Sequence, residues 1–250
     1  MGDDAQPEEL RAVPAIALVT GASSGVGRAI AFALAREGVH VLAMGRRLEA
    51  LRQLDSDIAA DTGHDRVTPV PCDVCDLAQI DRVSESVCVW PGRLDLLIHC
   101  AGEIRFGGID SATTDDAELL WKTHVQGPMR LTQRLLGLLR ASRGQIVFIN
   151  SSAAVSAPAN RLAYASSKAA AKSLADCLRE SLSQDGIRVM SFLLGRVDTP
   201  MQQRVLEYEH RTLETGQLMP PGDVAKAVLI TIRLPRTVEV TDVHLRQPHA

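Results

Sequence analysis

The run Ala15-Ile16-Ala17-Leu18-Val19-Thr20, followed at once by Gly21-Ala22-Ser23-Ser24-Gly25-Val26-Gly27, decides the fold. Its first six residues are apolar or β-branched throughout, as in a strand buried on both faces. Three glycines then stand where strand must turn into helix. They allow positive φ and let a ligand approach the backbone closely. The helix that follows aims its free N–H groups and positive dipole end at the same spot. A dinucleotide pyrophosphate fits such a place. The spacing is Gly-x-x-x-Gly-x-Gly, not the commoner Gly-x-Gly-x-x-Gly. The loop also matches Gly-x-Ser-x-Gly through Gly21, Ser23 and Gly25, the nucleophile elbow of α/β-hydrolases. A hydrolase elbow follows several earlier strands, and one of their loops supplies the oxyanion hole. Here the motif follows the first strand, so the hydrolase reading is set aside.

Outward from this loop, short apolar runs alternate with longer amphipathic stretches. Strands are expected at Ala15–Thr20, Val39–Met44, Val67–Pro71, Leu94–Cys100, Gln145–Asn150, Ile187–Leu194 and Val238–Leu245. Helices are expected at about Gly25–Glu37, Arg47–Ala60, Leu77–Val89, Asp115–Leu139, Ala163–Leu182 and Asp223–Leu234. Strand-helix-strand repetition with right-handed crossovers gives an α/β, Rossmann-like, doubly wound parallel sheet of about seven strands with helices on both faces. No break in composition divides the chain. One domain is expected over residues 13–250, after a flexible polar arm at 1–12. Residues 199–218 break the rhythm and are too long for a routine loop, which suggests a lid over a site.

Composition narrows the function. The 250 residues are 46% hydrophobic and 23% charged, with a net charge of −3. No basic excess exists to hold a phosphate backbone, and aromatics at 3% offer no base-stacking platform, so nucleic acid is not an expected partner. No apolar run approaches the ~18 residues needed to span a bilayer. The acidic start, MGDDAQPEEL, lacks the pattern of a secretory signal. A cytoplasmic protein is expected. Five cysteines, an odd number, do not read as a disulfide framework. Cys72-x-x-Cys75 has no second pair to complete a zinc site, and no metal is expected.

The second strand ends in Met44-Gly45-Arg46-Arg47. NAD enzymes place an acid near here to bind the ribose 2′-hydroxyl. Two arginines suit a 2′-phosphate instead, because guanidinium is planar, charged and bidentate. Farther on, Tyr164 and Lys168 stand four apart and so share a helix face. Ser151 comes thirteen residues before Tyr164, just past the fifth strand, where the ends of parallel strands line the ligand crevice. A hydroxyl, a phenol and an ammonium therefore converge.

Taken together, these features resemble the short-chain dehydrogenase/reductase family. The likeness is carried by the Thr20–Gly27 loop, Asp73 after the third strand, Ala101-Gly102 after the fourth, Ser151, Tyr164-x-x-x-Lys168, and Gly195-Arg196-Val197-Asp198-Thr199 after the sixth. It spans about residues 13 to 245 in the family's order and spacing. The resemblance implies hydride transfer between NADP(H) and a carbonyl or secondary alcohol. Tyr164 is then the general acid, Lys168 supports the phenol and bonds the nicotinamide ribose, and Ser151 polarises the substrate oxygen. It also implies that Gly21, Ser23, Ser24, Gly25, Val26 and Gly27 cradle the pyrophosphate and that Arg46 and Arg47 take the 2′-phosphate. Asp73 and Val74 would meet the adenine, Ala101 and Gly102 would adjoin the cofactor, and Gly195, Val197 and Thr199 would hold the carboxamide end. A helix N-cap explains Asp73 equally well. Family members pair long helices across two-fold axes, so a homodimer or homotetramer is expected.

The chain departs from the family in three places. The usual Asn-Asn-Ala-Gly is His99-Cys100-Ala101-Gly102, and the usual Pro-Gly after the sixth strand is Leu194-Gly195. The fourth catalytic position, usually Asn, is His124. In the family this residue helps to anchor a water on the proton path, partly through its backbone carbonyl, which survives the change. The alternative that His124 raises is a non-catalytic NADP-binding regulatory protein on the same fold. No Gly-Gly follows the last strand, which resembles general carbonyl or 3-hydroxy-acid reductases more than 3-oxoacyl-carrier-protein reductases. The expected pocket lining, Ala153, Ala154, Val155, Leu193 and Met201, suggests a small or largely apolar carbonyl compound.

Overall fold

A computed structural model describes residues 15–212 and 217–248, so the expected arm at 1–12 lies outside the described residues. Among the described residues seven strands are present: β1 (Ile16–Thr20), β2 (His40–Gly45), β3 (Val67–Pro71), β4 (Leu96–His99), β5 (Gln145–Ser151), β6 (Arg188–Leu194) and β7 (Asp242–Leu245). They form one all-parallel sheet in the order β3-β2-β1-β4-β5-β6-β7. The helices are α1 (Gly25–Arg36), α2 (Leu48–Thr62), α3 (Leu77–Val89), α4 (Thr114–Trp121), α5 (Gly127–Ser142), α6 (Leu162–Leu182), α7 (Pro200–Tyr208) and α8 (Pro221–Ile232).

Strand alternation sorts the core into two layers. Ala17, Val19, Leu96 and Ile98 face one side, where they pack with α1, α2 and α8. Leu18, Leu42, Met44 and Leu97 face the other and pack with α3, α5 and α6. With both faces covered, a strand has no polar side to present, and all seven residues of β6 are buried. Phe192 within it is fully enclosed. Truncating such a ring to Ala costs about 3–5 kcal/mol.

Two expected elements take different forms. The single helix at Asp115–Leu139 is interrupted by a π-helical turn at Lys122–Gln126. Pro128 follows, and it has no N–H for the His124 carbonyl four residues back. The Gly127 N–H bonds instead to the Lys122 carbonyl, five residues earlier. The last strand is half its expected length. The Leu234, Pro235 and Val238 carbonyls accept hydrogen bonds from the Arg188 guanidinium, which draws this segment into a cap at the sheet's end.

Order along the sheet reverses between β1 and β4, since the chain leaves β1 toward β2 and β3 and returns to β4 on the other side. At this point the loops after neighbouring strands diverge and leave a crevice at the strand C-termini.

Candidate active site

A cleft of about 470 Å³ opens at that reversal. The β1–α1 loop forms one wall. Gly21 and Gly25 adopt φ of +69° and +54°. A Cβ on Gly21 would stand 2.8 Å from the Ala101 Cα, and one on Gly27 would collide with the Gly21 carbonyl. The loop therefore packs against the β4 loop only because it lacks side chains. Thr20 fixes the pair: its Oγ1 accepts the N–H groups of Cys100 at 2.9 Å and Ala101 at 3.0 Å.

Arg46 and Arg47 follow β2 at the same cleft. Arg47 Nη2 lies 3.4 Å from both the Ser23 carbonyl and Ser23 Oγ, so this guanidinium already leans over the glycine loop. Asp73 Oδ1 accepts the N–H of Cys75 at 2.9 Å in a local turn. The N-cap of α3 is Asp76, not Asp73, with its carboxylate accepting from Ala78 and Gln79. Asp73 thus keeps acceptor capacity toward the cleft.

Ser151 ends β5, while Tyr164 and Lys168 lie in the first two turns of α6. Asn150 joins the two elements, with Nδ2 donating to the Lys168 carbonyl at 3.1 Å and Oδ1 accepting the Ser151 N–H at 2.8 Å. Burial raises the Tyr164 pKa above that of a free phenol, while the neighbouring Ser151 hydroxyl and the Arg161 charge pull it down. Lys168 Nζ lies 5.9 Å from the centroid of the phenol ring. Burial pushes this ammonium down to about 8. Among the described residues, no ion pair or hydrogen bond holds Nζ.

His124 stands apart. It alone of the expected site residues does not line the cleft. Its imidazole is enclosed in the π-helical turn, with the ring centroid 5.8 Å from that of Tyr164, edge to face. Nε2 accepts the Glu103 N–H at 3.2 Å, so the ring proton sits on Nδ1. Nδ1 in turn donates to Ser167 Oγ at 2.9 Å, and Ser167 donates to the Tyr164 carbonyl at 2.8 Å. Burial first, then the Lys168 charge, keeps the His124 pKa well below 6.5. His99 braces the sheet, bonding Thr132 through Nε2 at 2.9 Å, and burial lowers its pKa to about 3.

All the other expected residues line this one cleft: the glycine loop, Arg46, Arg47, Asp73, Val74, Ala101, Gly102, Ser151, Tyr164, Lys168, Gly195, Val197 and Thr199. The expected apolar lining holds only in part. Ala153 and Met201 reach the cleft, but Ala154 does not line it, Leu193 is enclosed in the sheet and Val155 faces solvent. Glu103, Arg161, Arg196 and Gln202 line it instead. Sequence reasoning missed these four. The one available signal was Arg161, one helical turn before Tyr164. Cys72 and Cys75 also reach the cleft as free thiols, with burial pushing Cys72 to about 12, so neither is a ready thiolate.

Comparison with known proteins agrees with this geometry. The family model for short chain dehydrogenases matches residues 15–210. The chain belongs to the short chain dehydrogenase family. This is a family of oxidoreductases that act on small molecules. The chain is 32% identical to the 2,3-dihydro-2,3-dihydroxybenzoate dehydrogenase of Bacillus subtilis, over 87% of this chain and 88% of that one. It is 29% identical to an uncharacterized oxidoreductase of Staphylococcus aureus, over 92% and 96% of the two chains. The fold superposes on an actinorhodin polyketide ketoreductase solved with NADPH, with a TM-score of 0.83 and 26% identity over 92% of this chain and 95% of that one. Among the described residues, no helix of this short chain dehydrogenase is long and apolar enough to cross a membrane.

Proposed function

We propose that the chain is an NADPH-dependent carbonyl reductase with Tyr164 as its general acid. The convergence of Ser151, Tyr164 and Lys168 with the glycine loop and the arginine pair on one cleft carries this reading. The side-chain-free Gly21 and Gly27 leave a cradle that a Cβ would fill, which fits a pyrophosphate at the α1 N-terminus. In this reading Arg46 and Arg47 take the 2′-phosphate, Asp73 and Val74 the adenine, Lys168 the nicotinamide ribose, and Gly195, Val197 and Thr199 the carboxamide. Ala101 and Gly102 form the floor. NADPH supplies the hydride to the carbonyl carbon.

The residues of the chain manage the oxygen. Ser151 Oγ donates a hydrogen bond to the carbonyl oxygen, and Tyr164 Oη delivers its proton there as negative charge develops. The protonated phenol is the form that a general acid needs for carbonyl reduction. The next proton for Tyr164 comes past Lys168, whose pKa of about 8 lets it give and take protons near neutrality. Pro128 leaves the His124 carbonyl without its α-helical partner, so this oxygen can still serve the proton path.

The segment 199–218 is read as a lid, its described part built on α7, while residues 213–216 lie outside the described residues. The intact Ser151, Tyr164 and Lys168 count against a purely regulatory NADP-binding protein. The ketoreductase solved with NADPH is consistent with the cofactor assigned here. A panel of carbonyl compounds, followed by loss of NADPH absorbance, tests the whole reading. Turnover that disappears in Tyr164→Phe supports it. Turnover unaffected by that change would overturn it.

A further inference from the structure

The charges at the substrate end of the cleft are unequal. Arg161 and Arg196 both line it. Both turn Nη2 to one carboxylate, that of Glu209 at the end of α7. Among the described residues one anion serves the two guanidiniums, which leaves one positive charge over. The neighbouring ionic group balances, because Glu103 and Asp116 face Arg105 and Arg204. Glu103 lines the cleft but offers no free negative charge to cancel the excess. Arg161 and Glu209 are only about one-sixth exposed, at 16% and 15%, so water screens this excess weakly.

Unused donors accompany the excess charge. Arg161 Nε, Arg196 Nη1 and Gln202 Nε2 are buried without an acceptor among the described residues. All three belong to cleft-lining residues, and all are N–H groups. Buried donors without acceptors are rare and destabilising. None of these three atoms is open to the cleft, so it is the surplus guanidinium charge beside them that matches a ligand bringing anionic oxygen.

We propose that the substrate is an oxo acid whose carbonyl meets Ser151 and Tyr164 and whose carboxylate is held by Arg161. The proposal rests on the reductase reading of the cleft and names its substrate class. Arg161 is the better placed of the two arginines. It stands one turn before Tyr164 on the same helix start, and its charge reaches the phenol. Arg196 is more fully used, since its Nη2 touches both oxygens of Glu209. Glu209 takes Nη2 of Arg161 and Nε is enclosed, so Nη1 is the nitrogen left to meet a carboxylate oxygen. Reduction leaves that carboxylate unchanged: hydride goes to the carbonyl carbon, the Tyr164 proton goes to its oxygen, and NADP+ departs.

The test compares 2-oxo, 3-oxo, 4-oxo and 5-oxo acids with their methyl esters as substrates with NADPH. At least one acid should exceed its ester tenfold or more in kcat/KM. Arg161→Gln should erase that ratio and Arg161→Lys should keep part of it. Glu209→Gln, which removes the competing carboxylate, should raise it. Esters reduced as well as acids, or a ratio unchanged in Arg161→Gln, would overturn the proposal while leaving the reductase reading intact. A second measurement separates the two claims: calorimetric binding of the corresponding hydroxy acids to the enzyme with NADP+. Binding that is lost in Arg161→Gln supports the anion site even where no carbonyl is turned over, in which case the reductase reading fails alone.

Discussion

His124 donates a hydrogen bond from Nδ1 to Ser167 Oγ at 2.9 Å. Ser167 passes it on to the backbone carbonyl of Tyr164, while Nε2 accepts the Glu103 N–H. Each donor is used once, in one direction, and the arrangement requires a neutral ring. A second ring proton would set two donors against each other at Glu103. On this geometry we propose that His124 positions Tyr164 rather than relaying protons.

Substitution can separate the two ends of this ring. Asn places an amide N–H near the Nδ1 position, whereas Gln reaches toward Nε2 and leaves Ser167 without its donor. His124→Asn should keep kcat within a few-fold, ~1 kcal/mol of barrier. His124→Gln and Ser167→Ala should lower kcat further, with KM for NADPH little changed. The kcat–pH profile of the unmodified enzyme should show no limb due to His124, whose pKa lies well below 6.5. A limb near 6.5 that vanishes in His124→Asn would show that the imidazole does relay protons.

Cofactor preference should follow Arg46 and Arg47. NADPH is expected to bind at least tenfold tighter than NADH, ~1.4 kcal/mol or more. Arg46→Asp should reverse the order, because a carboxylate repels a 2′-phosphate and accepts from a 2′-hydroxyl. Fluorescence titration of both cofactors decides it, and equal affinities in the unmodified protein would refute the assignment.

Tyr164 and Lys168 should respond differently. Tyr164→Phe should abolish turnover and leave NADPH affinity nearly unchanged, since the ring still packs. Lys168→Ala should damage both, because the same ammonium is assigned to the proton path and to the ribose. Steady-state kinetics with a parallel NADPH titration separates these outcomes.

Lys168 also links stability to pH. Its pKa falls from 10.5 in the unfolded chain to about 8 in the folded one. Between these values the unfolded chain binds more protons, so stability rises with pH across that window. Below pH 8 the full cost of the buried charge applies, about 3 kcal/mol at most. In the cofactor-free protein, Lys168→Met should therefore be more stable at pH 7, and the gain should shrink toward pH 10. Urea unfolding at both pH values measures it. Equal stability of the two proteins at pH 7 would contradict this account.

Assembly should use the α4–α6 face. Trp121 and Leu162 are 50% and 43% exposed and border a shallow apolar hollow between these helices. Light scattering at micromolar concentration should give a dimer or tetramer mass, and Leu162→Glu should shift it toward monomer. A monomer mass for the unmodified chain would exclude this assembly.

Most of the fold was legible in the chain itself. A buried parallel strand must be apolar on both faces, and a strand-to-helix turn over phosphate must be glycine-rich. Runs such as Ile16–Thr20 and Arg188–Leu194 and the Gly21–Gly27 loop therefore carry their structure locally. The tyrosine-lysine pair was legible too, because helical spacing alone puts residues four apart on one face. Tertiary structure decided what depends on partners distant in sequence. His124 was read as a member of the site, and only the fold shows that its ring nitrogens face Glu103 and Ser167 while its edge meets Tyr164. Of the apolar lining read from Ala153, Ala154, Val155, Leu193 and Met201, only Ala153 and Met201 reach the cleft; Arg161, Arg196 and Gln202 join them only once α6, α7 and the β6 loop meet. Spacing within a segment fixes which residues share a face. Which faces then meet is set by packing between segments, and no local pattern encodes the surplus charge that results.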